Sequence, residues 1–217
     1  MSRAVSNFAE WGRKVICVGR NFRDHCAELN NPVPKEPMLF LKPTSSYVFE
    51  NKPIIIPKTC TSLHHEVELG VVIAKTGSNI SESDAMSYVG GYVLALDMTA
   101  RDWQAKAKQQ GKPWSCAKGF DTACPLGKFI PIDKIPDPHN VQLWLNVNDI
   151  QKQNGSTRDM IFSIPVLIAY ISEIMTLESG DLILTGTPEG VGPVINGDHI
   201  KCGISGVTDM SFPVVSA

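Results

Sequence analysis

Glu66 and Glu68 stand two residues apart in "TSLHHEVELGVVIAKTG" (61–77), a stretch that otherwise reads as a β-strand. Side chains alternate across a strand, so Glu66, Glu68, Gly70, Val72 and Ala74 share one face, while Val67, Leu69, Val71 and Ile73 share the other. Both faces turn apolar after Glu68, the pattern of a strand buried on both sides. Two carboxylates on such a strand are costly unless something compensates them. A second apolar run, "YVGGYVLAL", ends abruptly in Asp97, and loops at strand ends carry function. Three carboxylates converging without sulfur are the donor set of a hard cation, Mg²⁺ or Mn²⁺, or Ca²⁺. The competing reading leaves the glutamates solvated on an edge strand and makes Asp97 a helix cap. His64 shares the parity of the glutamates, which also suits a cupin-like iron site, and His65 points the other way. One histidine of the pair suits a hydrogen-bonded core residue.

Three further groups have chemistry within reach. Lys118, among small residues in "SCAKGFDTACPLG", is either a surface lysine or a buried cation that stabilises a developing oxyanion or enolate. "TGTPEGVGP" (185–193) follows a strand but lacks the GK[ST] ending of a phosphate loop. Its backbone N–H groups and Thr187 suit a carboxylate, unless the segment is only a turn. In "GRNFRDHCAEL", His25 and Glu28 lie on one face of a short helix at spacing i, i+3. Such a pair activates water, although it is also common on solvated helices.

The elements that must position these groups are mostly strands. "KVICVG", "PMLFLKP", "PIIIP", "EVELGVVIA", "YVGGYVLALD", "VQLWLNVN", "DLILTG" and "HIKCGI" read as strands, many bounded by Pro, Gly or Asn. "TARDWQAKAKQQG" reads as a helix opened by a Thr99/Asp102 capping box and closed at Gly111. "SIPVLIAYISEIMTLESG" reads as another, with Ser163 as N-cap and Pro165 near the first turn. Without regular βαβ alternation, an α+β, mostly β fold is expected. No linker divides the chain, so one domain over residues 1–217 is expected, with 1–14 as an N-terminal extension and 20–32 as a candidate lid. Asn30, Asn31, Pro32 and Pro34 suit the lid's hinge.

Composition removes several function classes. The chain of 217 residues is 43 % hydrophobic and 19 % charged, with a net charge of −2. That balance gives no electrostatic case for nucleic acid or an anionic membrane, and no apolar run is long enough to span a bilayer. The six cysteines include no CxxC pair and read as free thiols in a reducing compartment. Arg3, Arg13 and Lys14 against Glu10 suit either a mitochondrial presequence or a plain N-terminus, leaving mitochondrial and cytoplasmic localisation open.

"HHEVELGVVI", "GGYVLALDMTARD", "KGFDTACPLG", "STRDMIFSIPVLIAYIS" and "LTGTPEGVGP" resemble, in order, the blocks of the fumarylacetoacetate hydrolase family. "GRNFRDHCAE" is similar to its acylpyruvase branch. The resemblance runs from about Val15 to near the C-terminus. It implies a mixed β-sandwich roll, a homodimer, and one Mg²⁺ or Mn²⁺ per subunit held by Glu66, Glu68 and Asp97. It makes His25 and Glu28 a water-activating dyad on a mobile lid, with Lys118 stabilising the enolate. Arg101, Gln104 and Thr187 match positions that touch substrate. The implied activities are acylpyruvate hydrolysis and oxaloacetate decarboxylation, with oxaloacetate enol–keto tautomerisation as the alternative and non-catalytic capture of 2-oxo acids as a further one. Animal relatives of the branch are largely mitochondrial.

Overall fold

The computed structural model describes residues 3–28 and 32–217. All eight apolar runs form strands. The largest sheet has seven strands in the order β2 (Met38–Lys42), β1 (Val15–Gly19), β12 (Leu182–Leu184), β6 (Val67–Ile73), β7 (Val89–Leu96), β9 (Cys124–Pro131) and β3 (Tyr47–Phe49). It is mixed, because β1 pairs parallel to β12 and β3 parallel to β9 while the other neighbours are antiparallel. A five-stranded sheet runs β11 (Ile150–Ser156), β10 (Gln142–Val147), β14 (His199–Ile204), β15 (Thr208–Ser216) and β4 (Ile54–Ile56). A small sheet joins β13 (Gly192–Val194), β5 (Leu63–His65) and β8 (Thr99–Ala100). The expected mostly β architecture with a few short helices is the one observed.

The two-sided burial expected of the glutamate strand is also observed. β6 is fully buried in the middle of its sheet. Leu69 and Val71 face a core shared with Leu143, Leu145, Ile200 and Phe212 of the five-stranded sheet and with Leu167 and Ile168 of α6 (Ile164–Ile174). Val72 faces a second cluster with Phe8, Val15, Cys17, Val93 and Leu126. Phe8 comes from α1 (Phe8–Trp11), so the segment ahead of β1 packs on the sheet.

The remaining helices are α2 (Arg23–Glu28), α3 (Glu82–Ala85), α4 (Arg101–Gln109) and α5 (Ser115–Lys118). The root of the expected lid is anchored. Asn21 is buried, donating through Nδ2 to Thr185 O (2.8 Å) and Phe162 O (3.0 Å) and accepting from Phe162 N (2.7 Å). Asn30 and Asn31 of the expected hinge lie outside the described residues.

Two expectations about helix ends are corrected. The Thr99/Asp102 capping box does not form: α4 starts from Ala100 without a side-chain cap. Thr99 sits in β8 and donates to Asp97 O (3.1 Å), and Asp102 accepts from the backbone and hydroxyl of Thr61 (2.8 Å each). Tertiary partners therefore outbid the local cap. Ser163 does precede α6, with Pro165 in its first turn, but its side chain makes no cap bond. Among the described residues no helix is long and apolar enough to cross a membrane.

Candidate metal centre and active site

Strand register builds the acidic cluster. Antiparallel pairing sets Val67 opposite Leu96, so the residues just before β6 and just after β7 meet, and Asp97 N donates to Glu66 O (2.8 Å). Glu68 stands one step further along the Glu66 face. One carboxylate oxygen from each of Glu66, Glu68 and Asp97 lies within 4.8 Å of the others, and all three residues are buried. The edge-strand and helix-cap readings are thereby overturned: β6 is central, and Asp97 caps nothing. Among the described residues no histidine joins the three carboxylates, which removes the cupin-like set. His64 lies near Ser62 Oγ (3.1 Å). His65 is the expected core histidine, fully buried with Nδ1 3.0 Å from Gln153 Oε1.

Cations surround the cluster. Lys118 ends α5 and is buried, with Nζ donating to Asp97 Oδ2 (2.6 Å), Glu66 Oε2 (3.1 Å) and Thr99 Oγ1 (2.6 Å). The surface-lysine reading is overturned. Arg101 opens α4, pairing through Nη2 with Glu66 Oε1 and donating through Nη1 to Gln104 Oε1 (2.8 Å). Burial pushes the Glu66 carboxyl up, but the charges of Lys118 and Arg101 outweigh it and hold the group below the usual range. Glu68 lacks such partners. Burial first, then the Asp97 and Glu66 charges, drive its carboxyl well above the usual range, and the Gly186 N–H bond offsets only part (2.7 Å). Burial would lower the Lys118 ammonium, yet Asp97 and Glu66 raise it, so it remains a cation.

The donor set fits a hard divalent cation. It is all oxygen, three carboxyl groups and buried, and a Glu68 carboxylate has too little compensation from the protein itself.

The Gly-rich loop closes one wall. Gly186 N donates to Glu68, and Gly186 has φ of 100° with a would-be Cβ only 2.8 Å from Asn21 Cβ, so glycine is required there. Thr187 Oγ1 donates to Val67 O (2.9 Å) and accepts from Gln153 Nε2 (2.8 Å). Gly190 N donates to Glu28 Oε1 (3.0 Å), and Glu28 Oε2 lies 3.0 Å from His25 Nδ1. His25 is 5 % exposed while Glu28 is exposed, so half of the pair is withdrawn from solvent and faces the pocket. One pocket is lined by His25, Glu66, Glu68, Asp97, Arg101, Gln104, Lys118 and Thr187. Every expected site residue except Glu28 lines it, and Glu28 touches it through His25.

Three supporting residues escaped the sequence. Lys42 is 1 % exposed and sits 2.7 Å from Asp97 Oδ1, its ammonium donating to the carbonyls of Met98 (3.0 Å), Lys118 and Ala123 (2.8 Å). A lysine ending the apolar run "PMLFL" was a signal of the same kind as Asp97. Gln153 lies in a polar strand and Asn21 in a polar loop, where no pattern marks them as buried.

A curled β roll with a buried carboxylate cluster ringed by Lys118, Arg101 and a His–Glu pair makes a candidate metal-binding active site. The chain belongs to the fumarylacetoacetate (FAA) hydrolase C-terminal family, whose model matches residues 14–215. It is 54 % identical over 213 residues to the mitochondrial oxaloacetate tautomerase FAHD1 of Mus musculus, covering 98 % of this chain and 96 % of the relative. It is 57 % identical over 213 residues to the mitochondrial oxaloacetate decarboxylase of Dictyostelium discoideum, covering 97 % and 98 %. Among solved structures it resembles a fumarylpyruvate hydrolase from Pseudomonas aeruginosa in complex with Mn²⁺ and pyruvate. That match has a TM-score of 0.89 and 33 % identity, over 94 % of this chain and 90 % of the other.

Proposed function

We propose that the chain is a Mg²⁺- or Mn²⁺-dependent enzyme of small 2-oxo acids. It hydrolyses acylpyruvates to pyruvate and a carboxylic acid, and it decarboxylates oxaloacetate to pyruvate and CO₂. The observation that carries this reading is the buried Glu66–Glu68–Asp97 cluster with the Lys118 ammonium 2.6 Å from Asp97. Glu66, Glu68 and Asp97 would hold the ion, which when bound supplies Lewis acidity toward the 2-oxo group.

The side chains divide the remaining work. Arg101, Gln104 and Thr187 line the pocket and orient the acid. Lys118 donates to the oxygen that becomes anionic as the enolate forms. With Nδ1–H donated to Glu28, the His25 imidazole presents Nε2 as a base for water. In hydrolysis that water attacks the C4 carbonyl, the C3–C4 bond breaks, its electron pair enters the pyruvate enolate, and a proton returns to C3. In decarboxylation C4 leaves as CO₂, and no water is activated. Enol–keto exchange uses the same enolate with only a proton moved between C3 and the 2-oxygen.

A second reading makes oxaloacetate tautomerisation the main activity, favoured by the FAHD1 relatives that carry that name at 54 % identity. Following enol loss and pyruvate formation on one preparation separates the two: a tautomerase depletes enol far faster than it makes pyruvate. The mitochondrial designation of these relatives supports mitochondrial localisation. The proposal includes one catalytic domain with α2 as its lid, and a homodimer, for which sedimentation should give twice the chain mass.

A further inference from the structure

Two cations in the pocket have no part in the chemistry above. Arg20 and Lys108 line the same pocket as Glu66, Arg101 and Lys118. Arg101 and Lys118 are neutralised by Glu66 and Asp97. Among the described residues, neither Arg20 nor Lys108 forms an ion pair. Unpaired cations facing one concavity repel each other, and an anion between them relieves that repulsion.

Their placement is built rather than incidental. Arg20 follows the end of β1 with φ of 60°, a left-handed conformation that is strained for a non-glycine residue. The chain on its far side is fixed, because Asn21 is buried and bonded to Thr185 and Phe162. Lys108 comes from a different element, α4. Arg101, Gln104 and Lys108 stand at i, i+3 and i+7 on α4, one row along the helix. The Lys108 ammonium lies over the Trp114 ring, 5.3 Å from its centroid, and Trp114 also lines the pocket. Burial first, then the Arg20, Arg101 and Lys118 charges, lower the Lys108 pKa, as expected for cations around one concavity.

We propose that Arg20 and Lys108 form a second carboxylate subsite, which selects 2-oxo acids bearing a distal carboxylate over acylpyruvates with an uncharged acyl group. This rests on the 2-oxo acid reading and gives it a substrate class. It also has a consequence for the reaction. When oxaloacetate loses CO₂, the C3–C4 bond breaks, its electron pair enters the enolate, and the C4 carboxylate leaves as a neutral molecule. Cations that bind the carboxylate stabilise the ground state and not the departing CO₂, so they raise that barrier. Proton exchange at C3 keeps the carboxylate and escapes this penalty. The subsite therefore biases the enzyme toward tautomerisation.

The test is steady-state kinetics on oxaloacetate and acetylpyruvate with Mg²⁺ present, for the wild type, Arg20→Met and Lys108→Met. Arg20→Gly removes the same charge while relieving the backbone, and Arg20→Lys keeps a charge. In Arg20→Met and Arg20→Gly the KM for oxaloacetate should rise about tenfold or more relative to that for acetylpyruvate. The ratio of pyruvate formation to enol loss should rise as well. Lys108→Met should shift both readings in the same direction, and Arg20→Lys should restore part of the selectivity. Folded variants in which the two KM values move together, or not at all, would overturn the subsite while leaving the 2-oxo acid reading in place. A wild type inactive on both substrates would instead overturn that reading, and the subsite with it.

Discussion

At the scale of single residues, charge balance governs the site. Glu66 is held ionised by Lys118 and Arg101, whereas Glu68 has only a backbone N–H close to it. Lys118 is central, because every proposed reaction passes through an enolate beside its ammonium. Lys118→Met should lower hydrolysis, decarboxylation and tautomerisation alike, by about 10²–10³-fold each, as loss of an oxyanion donor does. Parallel rate measurements on the three reactions check this, and decarboxylation spared while hydrolysis stops would refute a shared enolate. Lys42 acts at one remove. It sits on the other oxygen of Asp97 and ties down the backbone at Met98, Lys118 and Ala123. Lys42→Met leaves a buried carboxylate with one cation fewer and should cost roughly 3–5 kcal/mol of stability in denaturant unfolding. The carboxylates were legible in the sequence because charges interrupt apolar runs there. Lys42 interrupts one too, but a single lysine at the end of a strand has an ordinary surface explanation, and only the folded chain shows three carbonyls waiting for it.

At the scale of elements, α2, the proposed lid, and the Gly-rich loop are joined by a hydrogen bond. Glu28 bridges them, taking the Gly190 N–H on one oxygen and facing His25 with the other. Hydrolysis needs this pair to activate water and CO₂ loss does not. Glu28→Ala should therefore damage acylpyruvate hydrolysis about 10²–10⁴-fold, the usual contribution of a general base, and oxaloacetate decarboxylation much less. Equal loss of both activities would contradict that division. The helix has only six residues and is marginal alone. Amide exchange at residues 23–28 should slow when oxalate and Mg²⁺ are added together. The strands were more legible than these connections. Continuous apolar runs such as β6 and β7 announce themselves, and their register then fixes the cluster. β11, "IQKQNGS", was not legible, since its polar residues carry no alternation. Its buried Gln153 nevertheless holds Thr187 and Pro188 of the Gly-rich loop. The capping box failed for a related reason: Thr99 accepts from Lys118 and Asp102 from Thr61, distant partners that the local sequence does not reveal.

At the scale of the whole molecule, the site sits where two strands of the central sheet bring Glu66, Glu68 and Asp97 together, and both hydrophobic clusters support that sheet. The apolar order of the chain fixes this much, which explains why the fold class could be read before the structure. Pairing between sheets was not readable, because it depends on packing between segments far apart in sequence. Metal and fold should be coupled: an ion that binds the native cluster and not the unfolded chain stabilises the protein by mass action. EDTA should lower the thermal midpoint of the wild type, Mg²⁺ should restore it, and Asp97→Ala should respond to neither. The most direct test of the central claim is turnover of enol-oxaloacetate by EDTA-stripped protein, titrated with Mg²⁺ or Mn²⁺ while enol loss and pyruvate formation are followed together. The expected result is no turnover before the titration and saturable recovery of both signals during it. Undiminished turnover by protein shown to be free of metal would contradict the claim.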